Sequence, residues 1–133
     1  MPLQFKLLVL VFVGGGCGSC LRYGVTLAAL RLLGAGFPWG TFLVNVIGST
    51  VMGAFAGWLV ARTPGPAHDA FRLFFMTGIL GGFTTFSAYS LDTVALWEKG
   101  ATATAIVYAV GSVMLSLAVL AAALVIVRGW ATA

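Results

Sequence analysis

Gly78-Ile79-Leu80-Gly81-Gly82-Phe83-Thr84-Thr85-Phe86-Ser87 puts three glycines and a cluster of hydroxyls inside an apolar run. Glycine costs about 1 kcal/mol per helix position relative to alanine, and Ser and Thr offer the backbone competing hydrogen bonds, so the run makes a poor helix. Its flanks nevertheless extend the apolar pattern from about residue 71 to residue 97. That is long enough to cross a bilayer, which takes roughly 20 residues. Broken backbone at membrane depth persists only where it is buried in protein or lines a wet cavity. The stretch therefore predicts a membrane helix interrupted near its middle, with freed carbonyls that must meet an ion, a partner chain or water.

The rest of the chain has the same solvent. Of 133 residues, 61% are hydrophobic and only 8% charged, with a mean hydropathy of +1.09, more apolar surface than a water-soluble domain of this size can hide in one core. Four segments, approximately 4–32, 38–61, 71–97 and 102–128, reach spanning length. The expected fold is all-α and integral to the membrane: one domain over 1–133 with four transmembrane helices, the third broken mid-membrane. Short connections make adjacent helices antiparallel neighbours. Pro38 suits the first turn of the second helix, where its missing N–H is unpaired in any case. Pro64-Gly65-Pro66 marks a turn.

The net charge of +4 does not indicate nucleic acid, because the cations stand singly at span boundaries and form no patch. They bear on orientation instead. Lys6, Arg62, Arg72 and Arg128 fall on one side. Arg31 and Lys99 fall on the other, joined by Arg22 if it lies near that surface. The near balance is compatible with insertion both ways up. Cys17 and Cys20 share a helix face inside the first span and imply neither a disulfide framework nor a metal site; they read as small packing residues. Lys6, an apolar run and Gly-Gly-Gly-Cys only superficially resemble a lipoprotein signal, since the apolar pattern continues past Cys17 and three spans follow.

Enzymatic chemistry finds no footing. The single histidine, His68, falls between the second and third spans and reads as solvated, away from the membrane hydroxyls. Asp69, Asp92 and Glu98 form no carboxylate pair. A proton-coupled exporter usually carries a buried acid within a span, and the first span has none.

Polar stripes run along the spans instead. Gly14, Gly18 and Arg22 recur every fourth residue on span one, as do Thr41, Asn45, Ser49, Gly53 and Gly57 on span two, which ends in a small-residue packing half. Span four carries Tyr108, Ser112 and Ser116 on one stripe. Arg22 either lines a water-filled vestibule or snorkels to the nearer surface. Asn45 is either an interhelical hydrogen-bond partner or a donor lining a pore. Phe86 and Tyr89, three apart, share a face just after the broken segment. Such a pair either packs or offers positive ring edges to an anion without a formal counter-charge. The residues alone thus read as a small-ion conduit.

Gly81-Gly82-Phe83-Thr84-Thr85-Phe86-Ser87-Ala88-Tyr89 resembles the third-span hallmark of the Fluc fluoride channels. Gly14 to Arg22-Tyr23, Gly40-Thr41 with Val44-Asn45, and Tyr108 with Ser112 are similar to that family's first-, second- and fourth-span motifs, so the likeness covers all four spans in order. The resemblance implies a multi-pass protein of the bacterial plasma (inner) membrane that exports fluoride passively. It would be an antiparallel, dual-topology homodimer with two pores and a structural sodium ion at its centre. The sodium would be held by the backbone carbonyls of Gly81 and Thr84. The pore would be lined by Asn45, Phe86 and Tyr89 with Thr41, Ser87, Tyr108, Ser112 and Ser116, and Arg22 would be the vestibule cation. Tyr89 departs from the family's usual Phe and adds a hydroxyl that could donate to the anion or block its path. Asp92 stands where the family often has Glu. The alternatives are a four-span proton-coupled exporter of cationic compounds and an assembly subunit without transport of its own.

Overall fold

The computed structural model describes residues 3–60, 62 and 65–132. Pro64, part of the turn expected at 64–66, lies outside them. Every regular element among the described residues is helical: α1 (Leu3–Leu33), α2 (Trp39–Val60), α3 (Pro66–Arg72), a π-helical stretch (Leu73–Leu80), α4 (Gly81–Phe83), α5 (Phe86–Glu98) and α6 (Thr102–Thr132). Three of these, α1, α2 and α6, are each long and apolar enough to cross a membrane unaided. At 1.5 Å per residue, the 22 residues of α2 span about 33 Å, against a hydrocarbon core of about 30 Å.

The connections are closed by local chemistry. Gly34 and Gly100 hold φ of 78° and 77°, the left-handed conformation that ends a helix without a Cβ clash. The Gly34 N–H returns to the Leu30 carbonyl at 3.1 Å, and that of Gly100 to Trp97 at 2.9 Å. Pro38 accepts the first bond of α2, from the Phe42 N–H at 3.0 Å.

The third hydrophobic segment is not one helix. The α3, π-helical and α4 turns follow one another with helical dihedrals at both junctions, forming a rod that ends at Phe83. Thr84 (φ −77°, ψ 159°) and Thr85 (φ −154°, ψ 119°) are extended, and α5 starts at Phe86. The glycines are therefore helical, and the interruption falls on the two threonines. Gly78 and Gly82 serve close approach instead. A Cβ built on Gly14 of α1 would stand 2.7 Å from the Phe74 carbonyl oxygen and 3.0 Å from the Gly78 Cα, and one on Gly82 would strike the Gly15 carbonyl. Backbone meets backbone there, the small-residue packing that membrane helices favour.

Gly53 and Gly57 play the same part between α2 and α6, where a Cβ on Gly57 would lie 2.6 Å from the Leu124 carbonyl oxygen. The helices sort into two layers of contact: α1 holds the rod, while α6 holds α2 and α5, with α1 also touching α2. Two expectations are corrected. Cys17 and Cys20 are exposed on α1, because the packed face carries Gly14 and Gly18 and neither cysteine shares it. His68 is not a solvated loop residue; it lies in α3, with its side chain 20% exposed and its Nδ1 3.6 Å from Asp69 Oδ1.

Candidate functional site

The extended pair Thr84-Thr85 decides the local chemistry. A strand-like residue among helices exposes both backbone polar groups, and each costs free energy if left unpaired. Asn45 on α2 satisfies both at Thr85. Its Nδ2 donates to the Thr85 carbonyl at 3.0 Å, and its Oδ1 accepts from the Thr85 N–H at 2.8 Å. A side-chain carboxamide is the one neutral group that can imitate a neighbouring strand in both directions. Thr84 Oγ1 donates to the Leu80 carbonyl at 2.9 Å. Thr85 Oγ1 accepts from the Ala88 N–H at 3.3 Å, capping α5.

These bonds free particular carbonyls. A helix end leaves its last carbonyls without intrahelical donors. The Thr85 N–H, which an unbroken helix would give to Gly81, goes to Asn45. The Ala88 N–H, which it would give to Thr84, goes to Thr85 Oγ1. Between them, Gly82 receives the Ser19 hydroxyl at 3.5 Å. Gly81 lies on the exposed side of the rod.

Below the interruption opens a cavity of about 410 Å³, walled by α2, α5 and α6. Asn45, Thr84, Phe86, Tyr89, Ser112 and Ser116 all border it, with Met52, Leu117 and Leu120 on the apolar side. Ser112 is 3% exposed, and neither its hydroxyl nor that of Ser116 has a partner. Buried hydroxyls are normally bonded, so two orphans side by side on one cavity wall suit a ligand that can accept hydrogen bonds. Phe86 and Tyr89 face each other across 5.4 Å at 35°, and Phe86 is 76% exposed, so one flank of the cavity is bare in the single chain. The Tyr89 phenol donates to the Ala109 carbonyl of α6 at 3.0 Å, so it ties two helices together and has its proton engaged away from the cavity.

Thr41 and Tyr108 belong to a different group. Thr41 Oγ1 donates to Asp92 Oδ2 at 2.6 Å, and the Tyr108 hydroxyl reaches the same oxygen at 3.3 Å. Tyr108 is fully buried. Its ring lies tilted at 38° against Tyr89 at 5.5 Å on one side and meets Phe37 edge-on at 5.4 Å and 84° on the other. Thr41, Asp92 and Phe37 line a second pocket of about 270 Å³, bounded by α1, α2, the Gly34–Pro38 connection and α5. The two cavities thus succeed one another along the same polar stripes, with Tyr108 between them. Ser87 borders neither; it is exposed, 3.3 Å from Thr85 Oγ1. Arg22, half-buried on α1, also borders neither.

Asp92 is the site residue that sequence reasoning set aside. Its signal lay in spacing: three residues beyond Tyr89 it continues the Phe86–Tyr89 face, at the level where the α2 stripe offers Thr41. A carboxylate inside a span needs donors, and two hydroxyls supply them.

Residues 9–124 match the family described as CrcB-like protein, Camphor Resistance (CrcB). The chain is 53% identical over 120 residues to the fluoride-specific ion channel FluC 2 of Nitrobacter hamburgensis, covering 90% of this chain and 95% of that one. It is 50% identical over 120 residues to the fluoride-specific ion channel FluC of Methylobacterium nodulans, covering 90% and 94%. It is 50% identical over 123 residues to that of Rhizobium leguminosarum bv. trifolii, covering 92% and 97%.

Proposed function

The chain belongs to the CrcB family, and from that premise we propose that it is a fluoride-specific ion channel. It is a multi-pass membrane protein whose work is passive conduction, not catalysis. The observation that carries the reading is the pair of unpartnered hydroxyls, Ser112 and Ser116, on the wall of a cavity that also holds the Asn45 carboxamide and the Phe86 and Tyr89 rings. Hydroxyl protons and positive ring edges can replace the hydration of a small anion without a fixed counter-charge. Sites of that kind bind firmly enough to admit the ion and weakly enough to release it.

In this reading the working unit is an antiparallel homodimer that exports fluoride from the cytoplasm through two pores. The exposed Phe86 and open cavity flank call for a second chain, and the near-balanced cations allow both orientations. Asn45, Phe86, Tyr89, Ser112 and Ser116 line each pore, Tyr108 and Thr41 continue it toward Asp92, and Ser87 and Arg22 take their places only in the assembled dimer. The interrupted third segment lies at mid-membrane depth. The carbonyls of Gly81 and Thr84, whose helical donors are engaged elsewhere, are neutral oxygens suited to a structural sodium ion at the dimer centre. When bound, such an ion would offset four carbonyl dipoles and join the two chains.

Liposomes holding the purified protein should release fluoride while retaining chloride and a lipophilic cation. Retention of fluoride would remove the channel reading, and release of the cation would favour a cation exporter.

A further inference from the structure

We infer that Lys99 is the cation that draws the anion into the second pocket, a role that rests on the channel reading above. This pocket succeeds the main cavity along the Asn45–Thr41 and Tyr89–Asp92 stripes, so an ion leaving the cavity past Tyr108 arrives here. Its wall holds one carboxylate and one ammonium, Asp92 and Lys99. Arg31 and Glu98 lie on the neighbouring helix ends, but neither lines it.

An anion approaching a pocket walled by an acid should be repelled, and that objection identifies the purpose of Lys99. Asp92 sits deeper, with Oδ2 engaged by Thr41 and Tyr108. Lys99 is seven residues further along, about 10 Å up the helix axis, and exposed at the rim. It forms no salt bridge with Asp92 or with Glu98; among the described residues the one acid–base side-chain contact within 4.0 Å is His68–Asp69. Its charge is therefore free to act on the solution. Without it the pocket would carry net negative charge, and anions would be depleted at this mouth of the path, whichever way they cross it. A low-dielectric recess lined by charge focuses the field and changes the local concentration of mobile ions, with a strength set by ionic strength. Arg22, the cation expected at a vestibule, lines neither cavity.

The test is single-channel fluoride current in planar bilayers for wild type, Lys99→Gln and Lys99→Arg. Currents are recorded at about 0.01 M and about 1 M salt, where the screening length falls from about 30 Å to about 3 Å. Lys99→Gln should carry about two- to tenfold less current than wild type at low salt and should match it at high salt. Lys99→Arg should track wild type throughout. Equal currents for wild type and Lys99→Gln at low salt would overturn the inference. A deficit of the same size at both salts would also overturn it, because a structural lesion is not screened. A wild type that passes no fluoride at all would instead count against the channel reading itself.

Discussion

Replacing Asn45 by leucine should unfold the interruption before it affects anything else. The leucine keeps the branching of the side chain but withdraws both partners of Thr85, the Nδ2 donor at 3.0 Å and the Oδ1 acceptor at 2.8 Å. Each buried backbone group left unpaired costs about 1–3 kcal/mol. Thr85 borders an open cavity, so water can reach part of the freed carbonyl, and the combined loss should fall at about 2–4 kcal/mol. That is a large share of the roughly 5–15 kcal/mol that holds a typical protein folded. Asn45→Asp is the sharper comparison. It preserves size and leaves an acceptor for the Thr85 N–H, but sets an oxygen against the Thr85 carbonyl where a donor stood. At neutral pH it should lose at least as much as the leucine variant. Detergent-solubilised protein can be titrated to the unfolded state and followed by tryptophan fluorescence. A loss below about 1 kcal/mol for Asn45→Leu would mean that the extended Thr84-Thr85 backbone is held by something else.

Phe86→Ile keeps bulk and removes the ring quadrupole, so the dimer should persist while fluoride efflux falls sharply; undiminished efflux would make the ring ordinary packing. Tyr89→Phe keeps the ring and removes one hydrogen bond to Ala109, so efflux should stay substantial while stability drops by roughly 1 kcal/mol or less. Ser112→Ala removes a hydroxyl that has no protein partner; unfolding should shift by no more than about 0.5 kcal/mol while efflux declines. A stability loss without a flux loss would assign Ser112 to the fold. Reporter fusions at the C-terminus should register both orientations in the membrane, and a single orientation in an active protein would exclude the antiparallel dimer.

Three of the expected spans, α1, α2 and α6, were legible because lipid demands long apolar runs and the chain supplies them with short connections. The glycine stripes were legible too, since i, i+4 spacing states a face: Gly14 and Gly18 meet the rod, and Gly53 and Gly57 meet α6. The place of the interruption was not. The run from Gly78 to Ser87 marked it only to within ten residues; in a membrane the cost of glycine in a helix is outweighed by the close packing it permits, so the glycines stay helical and the chain leaves the helix at the threonines of that run, where Thr85 finds Asn45 forty residues away. No local rule contains that partner. Asn45 itself was visible as a polar residue on a stripe, with two roles left open; the structure gives it the interhelical bonds and leaves it on the cavity wall as well. The engagement of the Tyr89 phenol by Ala109 and the gathering of Thr41 and Tyr108 on Asp92 depend on helix rotation, which periodicity does not determine. Cys17 and Cys20 were misjudged because a small side chain looks the same in sequence whether it packs or faces outward.

The division of contacts, with the rod held by α1 and both α2 and α5 held by α6, also dictates an order of assembly. During synthesis the rod can settle on α1 as soon as it enters the membrane, since its partner is already there. α2 can touch α1 early, but its main partner and that of α5 come last, because the helix carrying Leu120 and Leu124, the backbone on which Gly53 and Gly57 rest, emerges after both. Until it arrives the Tyr89 hydroxyl has no acceptor and the main cavity has no third wall. A chain ending in the turn at Gly100 would therefore be a half-built bundle in which the rod has its partner, α1, and the conduit does not yet exist.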